Sequence, residues 1–297
     1  MSISKAEKSY IQTGLLSAPP RRQDGRSLLD FRSIALETGV VPLANGSARL
    51  LIADGTEILA ATKLQVQDGP LPQLTCTVTC SPAAYPHLSP AALDDVQADL
   101  TALLNGTLSR HRPDNLTILP GKKAWALHLD IIVLADAGNV CDALFMAARA
   151  ALWDTRVPRT RGVEYKARKD SGFDMQTAPP DFELADYWDD GEVLGGRDTW
   201  PVSITLNIES SVHYLDAILQ EEASTPLRLL LMYSFPGPIL QGMRTIGSGD
   251  LSLPQIKALL ADGEKYALEL MQALNAKLSE EDVRRNQKAR DRFEQRY

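Results

Sequence analysis

The chain has 297 residues, 44% of them hydrophobic and 23% charged, with a formal net charge of -7 and a pI of about 5.2. This composition supports one large domain or two ordinary ones with a sizeable core. The acidic balance argues against a free-standing nucleic-acid binder, which is usually basic, but not against a subunit that lends a small basic patch to a shared surface.

The three cysteines are Cys76, Cys80 and Cys141. Cys76 and Cys80 fall on one face of a predicted strand, about 13 Å apart, which is too far for a disulfide. No CxxC occurs and the four histidines are scattered. Neither a metal site nor a cofactor is expected, and the thiols read as reduced and structural, in a cytosolic or nuclear compartment. No apolar run reaches the roughly 18 residues of a membrane span, so no membrane association is expected.

Residues 1–27 read as an N-terminal extension. Ser4 and Glu7 form a capping-box signature for a short helix, and Pro19-Pro20 followed by Asp24-Gly25 breaks the chain into a loop. Strands follow at Phe31–Thr38, at Ser47–Ala53 and Thr56–Val66 around the hairpin signal Asp54-Gly55, and at Gln73–Cys80. A helix from Pro90 to Ser109 has Leu93, Val96, Leu100, Leu103, Leu104 and Leu108 as its apolar stripe. Lys123–Ala135 is a buried strand. It turns through Asp136-Ala137-Gly138-Asn139 into a helix, Val140–Trp153, whose alanines permit close packing on a sheet. On the strand, His128 and Asp130 share a face and read as a satisfied core pair rather than a catalytic dyad.

Residues 167–198 carry nine acidic residues and Pro179-Pro180. They are expected to form a loop or partly disordered acidic insertion with no metal site. Trp200–Glu209 then alternates strictly, with Trp200, Val202, Ile204, Leu206 and Ile208 on one face, the pattern of a half-buried strand. Val212–Leu215, Leu227–Phe235 and Ile239–Ile246 are further strands. A helix runs from Leu253 to about Leu278, and residues 279–297, dense in both charges, read as a solvated helical extension, a charged tail. The order suggests two α+β units of similar plan, 28–166 and 199–278, packed together.

Several motifs recur in one order. Asp24-Gly25-Arg26 precedes Phe31-Arg32, then Asn45-Gly46-Ser47-Ala48-Arg49 and Asp54 through Lys63. Later come Leu215-Asp216-Ala217-Ile218-Leu219-Gln220-Glu221-Glu222-Ala223 and Arg244-Thr245-Ile246-Gly247-Ser248-Gly249-Asp250-Leu251. Together they resemble the RNase PH family, and in particular the ring subunits of the RNA exosome. The likeness covers roughly residues 24–275 and implies the RNase PH-like α+β fold.

Active members of that family are phosphorolytic exoribonucleases. By the resemblance, their phosphate sits on a Gly-Thr-Arg run at a helix start. The matching run here is Gly138-Asn139-Val140, with Val140 in place of the arginine. Their carboxylates are spaced Asp-x5-Asp. Anchored on Pro201-Val202, that register falls on Val193 and Thr199, neither of them acidic, while a slip by one residue would substitute Glu192 and Asp198. The resemblance therefore implies a non-catalytic ring subunit supporting 3′-to-5′ RNA processing and degradation, including rRNA maturation, in nucleus, nucleolus and cytoplasm. Its implied partners are other RNase PH-like ring subunits, S1/KH-type cap proteins, RNA in the central channel and an associated nuclease. Arg22, Arg26, Arg49 and Lys63 are the RNA-contact candidates. Tyr10, Ile11, Leu15 and Leu16, apolar residues outside the core pattern, are the docking candidates. Two alternatives stay open: an active phosphate-dependent exoribonuclease, and a small-molecule kinase using Gly247-Ser248-Gly249 as a phosphate loop.

Overall fold

The computed structural model describes residues 3–69, 71–111, 113–163, 181–184 and 191–294. Helix α1 (Lys5–Leu16) opens the chain, and its Ser4–Glu7 capping box is formed. Strands β1 (Ile34–Thr38), β2 (Gly46–Ile52), β3 (Thr56–Asp68) and β4 (Gln73–Cys80) follow, then α2 (Pro90–Leu108), β5 (Thr117–Leu119), β6 (Lys123–Ala135) and α3 (Val140–Asp154). Short strands β7 (Arg156–Val157), β8 (Thr160–Val163), β9 (Asp181–Leu184) and β10 (Glu192–Val193) lead to β11 (Val202–Glu209) and β12 (Val212–Tyr214). The chain closes with α4 (Leu219–Ser224), β13 (Leu227–Ser234), β14 (Ile239–Gly247) and α5 (Leu253–Glu294).

Two sheets result. The first has the order β1-β2-β3-β6-β4 with β5 added on β6, and the second the order β12-β11-β13-β14. Only β4 against β6 is parallel in the first sheet, and the second is antiparallel throughout. Helix α3 lies between them, against β2 and β3 on one side and β11 on the other. Its run of alanines lets the sheets approach, and every residue from Asp142 to Asp154 is buried. One hydrophobic cluster spans both sheets and the helices between and outside them. The two-unit plan of sheet and helix is thus borne out.

Helix α2 closes the β4 edge in a specific way. Gln97, Thr101 and Asn105, one helical turn apart, accept hydrogen bonds from the backbone N–H groups of Cys80, Val78 and Cys76 at 2.8–3.0 Å. Those donors would otherwise face a pairing partner.

Three expectations need correction, and one is met. Strand β11 is not half-buried: all eight residues are buried. Its apolar side packs toward α5, where Gly263 lets Leu206 and Leu231 come close. Its polar side is sealed by α3, where Asp142 accepts from Ser203 and Thr205. Alternation reports two chemistries here, not one wet face. The acidic insertion contains sheet, since β9 pairs with β8 and β10 with β7. Phe182 anchors β9 by an edge contact on Trp125, with ring centroids 6.4 Å apart. The rest of that segment, 164–180 and 185–190, lies outside the described residues. Helix α5 continues to Glu294, as expected of a helical extension, with Leu278 and Glu281 both buried. His128 and Asp130 are not a core pair: Asp130 is exposed and His128 half-buried, on the outer face of the first sheet.

At Gly46 the first strand pair meets the end of α3. A Cβ there would stand 2.5 Å from the Thr155 backbone nitrogen and 2.6 Å from the Ala151 oxygen, neither of which can move alone. Gly46→Ala is expected to cost about 2–3 kcal/mol, read as a lowered urea midpoint at unchanged slope.

Candidate functional site

The start of α3 is where the resemblance locates phosphate. Gly138 takes φ of +102°, and a Cβ on it would meet the Ala217 oxygen at 2.4 Å. Only glycine lets the 217–219 segment lie this close. That contact brings two carboxylates to the helix start, Asp216 and Glu222, six residues apart.

Asp216 is fully buried, with φ of +47°. Its Oδ1 accepts from Arg32 Nη2 at 2.7 Å and Asn139 Nδ2 at 3.0 Å. Its Oδ2 accepts from the Arg32 backbone N–H at 2.7 Å, Arg32 Nε at 2.9 Å and Arg26 Nη1 at 2.9 Å. Burial works against the charge, but the Arg32 hydrogen bonds and charge, with Arg26 behind them, hold the carboxyl below its ordinary range. Arg32 also donates to the carbonyls of Ala137 and Gly138, both at 3.1 Å.

Glu222 reaches the helix start directly. Its Oε1 accepts from the Asn139 backbone N–H at 2.8 Å, and its Oε2 pairs with Arg228 at 3.0 Å. Burial pushes this carboxyl up, partly offset by Arg228 and that N–H. The Gly138 N–H donates to Asp136 Oδ1 at 2.8 Å. Two backbone donors where a phosphate would dock are therefore already held by the protein's own carboxylates. The cleft alongside, about 430 Å³, is lined by Asp24, Asp54 and Asp136 with Gln23, Ile218 and Gln220, a poor environment for an anion.

Val140 sits at the expected place, the first residue of α3. Val193 and Thr199 do not sit near it. Val193 is paired with Arg156, past the far end of α3. Thr199 lies in a 3-10 turn whose Asp198 carbonyl accepts from Arg149 Nη2 at 2.9 Å. Arg149 is nine residues into α3, roughly 13 Å along the axis from Val140. Neither Val193 and Thr199 nor the one-residue slip to Glu192 and Asp198 therefore meets Val140 at the helix start. The carboxylates that reach it are Asp216 and Glu222, six residues apart within the 215–223 motif.

Arg22 and Arg26 are corrected as RNA contacts. Arg22 is buried, pairing with Glu221 at 2.7 Å and donating to the Leu215 and Asp216 carbonyls. Arg26 is spent on Asp24 and Asp216. Arg49 is half-exposed and paired with Glu57, and Lys63 is exposed. Of the docking candidates, Ile11 and Leu15 are buried against Tyr214 and Ala217, whereas Tyr10 and Leu16 are 74% and 46% exposed. The Gly247-Ser248-Gly249 stretch is packed on Pro226 and Leu227, and the Ser248 N–H donates to the Pro226 carbonyl, so it forms no open phosphate cradle. Among the described residues no group of three or more His, Cys, Asp or Glu is placed to hold a metal.

Two sheets around one shared helix give the plan of an RNase PH-like fold. The 3′ exoribonuclease family, domain 1 (RNase PH), matches residues 30–158. The Rrp42 exosome complex component of Saccharolobus islandicus (strain Y.N.15.51 / Yellowstone #2) is 30% identical over 268 residues, covering 86% of this chain and 90% of that protein. A chain of the Archaeoglobus fulgidus exosome with RNA bound to the active site superposes with a TM-score of 0.71 at 24% identity, covering 90% of this chain and 97% of that one. A chain of an archaeal exosome core gives 0.66 at 23% identity, covering 91% and 96%. The chain belongs to the RNase PH family.

Two outcomes follow from the site. Asp216→Asn leaves Arg32 and Arg26 without their buried counter-charge and is expected to cost about 3–5 kcal/mol, measured by chemical denaturation; a loss under about 1 kcal/mol would contradict the central role of the cluster. The second concerns Asp142, fully buried in the first turn of α3, where burial pushes the carboxyl from 3.8 up to about 7 despite hydrogen bonds from Thr205 and Ser203. A raised carboxylate is protonated in both states at low pH, and its contribution is lost as pH rises through the folded value. Relative to Asp142→Asn, the native chain should lose roughly 3–4 kcal/mol between about pH 4 and about pH 7, read from urea titrations of both proteins across that range.

Proposed function

We propose that this chain is a ring subunit of an RNA exosome core that contributes structure and an RNA path but performs no phosphorolysis itself. The observation that carries this reading is the occupation of the Gly138 and Asn139 N–H groups by Asp136 and Glu222, next to Val140 in the guanidinium position. Phosphorolysis needs a phosphate held by fixed donors and a cation. Here a phosphate would have to displace one carboxylate while facing others.

The name of the Saccharolobus relative and the folds of the two exosome chains support the ring assignment. Its partners would be other RNase PH-like subunits, S1/KH-type cap proteins and an associated nuclease, with RNA in the shared channel. Arg49 and Lys63, exposed on the first sheet, are the RNA-facing candidates that remain. Tyr10 and Leu16 remain as docking residues.

Incubated with single-stranded RNA and inorganic phosphate, the purified chain is expected to release no nucleoside diphosphate. Release that disappears in Glu222→Gln would make it a working phosphorolytic enzyme and overturn the proposal. Co-purification should recover the chain with other RNase PH-like subunits, and recovery only as a monomer would count against the ring role.

A further inference from the structure

Helix α1 is held on the body by Ile11 and Leu15, and by Gln12, which donates to Glu209 and to the Ser224 carbonyl at 3.1 and 3.0 Å. The Pro19–Gln23 loop then folds back along the helix. Its closest approach is at Gly14, whose carbonyl accepts from the Arg21 N–H at 2.9 Å and whose Cβ, if present, would meet the Arg21 oxygen at 2.9 Å. Between helix and loop lies a groove of about 300 Å³, large enough for one or two side chains of a bound segment. Tyr10, Leu15, Ala18 and Pro19 give it an apolar lining.

Three charged residues line the groove: Arg21, Arg22 and Glu221. Arg22 and Glu221 neutralise each other through a buried two-pronged pair at 2.7 and 3.0 Å. Arg21 is exposed, and its guanidinium has no ion pair or hydrogen bond among the described residues. The groove therefore presents an apolar floor, an exposed Tyr10 and one uncompensated positive charge at its mouth. A large exposed tyrosine beside a free arginine has the composition of an interface hot spot.

We propose that the groove between α1 and the Pro19–Gln23 loop binds a peptide segment of a partner protein that carries an aromatic or branched apolar side chain next to a carboxylate. The apolar side chain fills the groove against Tyr10, Leu15 and Pro19, and the carboxylate pairs with Arg21 as a bidentate acceptor. The N-terminal helix is then a fixed wall of a receptor site, not a mobile plug, since Ile11 and Leu15 are already spent on the body. This goes beyond the ring assignment and does not depend on whether the chain is catalytic.

The test uses the full chain as bait for a display library of short random peptides. Enriched sequences are expected to pair Asp or Glu with an adjacent aromatic or aliphatic residue. Arg21→Glu should weaken an enriched peptide by about tenfold or more, and repeating the selection on that variant should shift enrichment to Lys and Arg. Tyr10→Ala should weaken it by about tenfold, with Tyr10→Phe retaining most of the affinity. Both side chains are exposed, so the variants should melt with the native protein, and the melt is recorded alongside. Enrichment without acidic bias, acidic peptides that bind Arg21→Glu equally well, or displacement of the peptide by single-stranded RNA would each overturn the proposal.

Discussion

The Asp216 carboxylate is the constraint on which the arrangement of the molecule depends. Five hydrogen bonds converge on its two oxygens, from Arg26, Arg32 and Asn139. Those donors belong to the N-terminal loop, the approach to the first sheet and the start of α3, while Asp216 itself follows the second sheet's β12. One buried group thus registers four parts of the chain that lie up to 190 positions apart. Burying so much charge is not a cheap source of stability, because desolvation offsets most of the attraction. Its effect is geometric: any other docking of the two sheets would strand a carboxylate or a guanidinium in the interior. The second pair, Arg22 with Glu221, repeats the device one step outward and clamps the N-terminal loop to α4.

This network also governs what the helix start can do. The N-terminus of α3 carries partial positive charge and unsatisfied N–H groups, a natural seat for an anion. Here the anions are internal. Asp136 and Glu222 occupy the Gly138 and Asn139 N–H groups just before the helix, Asp142 is buried in the first turn with its carboxyl pushed up to about 7, and Asp216 stands behind them. These carboxylates help to fix the helix between the two sheets.

Much of the fold was legible in the sequence. Period-two runs located β4, β6 and β11, the Asp54-Gly55 turn signal located β2 and β3, and the 3.6-residue stripes located α2 and α5, because core packing and turn chemistry act directly on those patterns. Burial on both faces of β11 was not legible. Its outward residues are polar, and only the long-range approach of Asp142 makes Ser203 and Thr205 interior. The fates of the arginines were hidden for the same reason. Arg21 and Arg22 are neighbours in one loop, yet one is exposed at the surface and the other is buried against Glu221, 199 positions away. The α3 start was found from Gly138-Asn139-Val140 alone, since it is local. The carboxylates beside it were misplaced because the 215–223 segment reaches that start through a tertiary contact, which no local register encodes.

That misplacement changes the reason offered for the proposed lack of phosphorolysis. Val193 and Thr199 suggested a site whose acids had been deleted, and a deleted group can in principle be supplied by a neighbouring subunit, as an arginine can be. An occupied site is different. A neighbour could extend a guanidinium toward Val140, but it could not remove Glu222 from the Asn139 N–H or Asp136 from the Gly138 N–H. Freeing Glu222 would leave Arg228 without its partner, and freeing Asp216 would leave Arg32 buried without a counter-charge. Glu222, which holds the Asn139 N–H, belongs to the network of buried charges that fixes the two sheets, so opening that donor to a phosphate requires loosening the network.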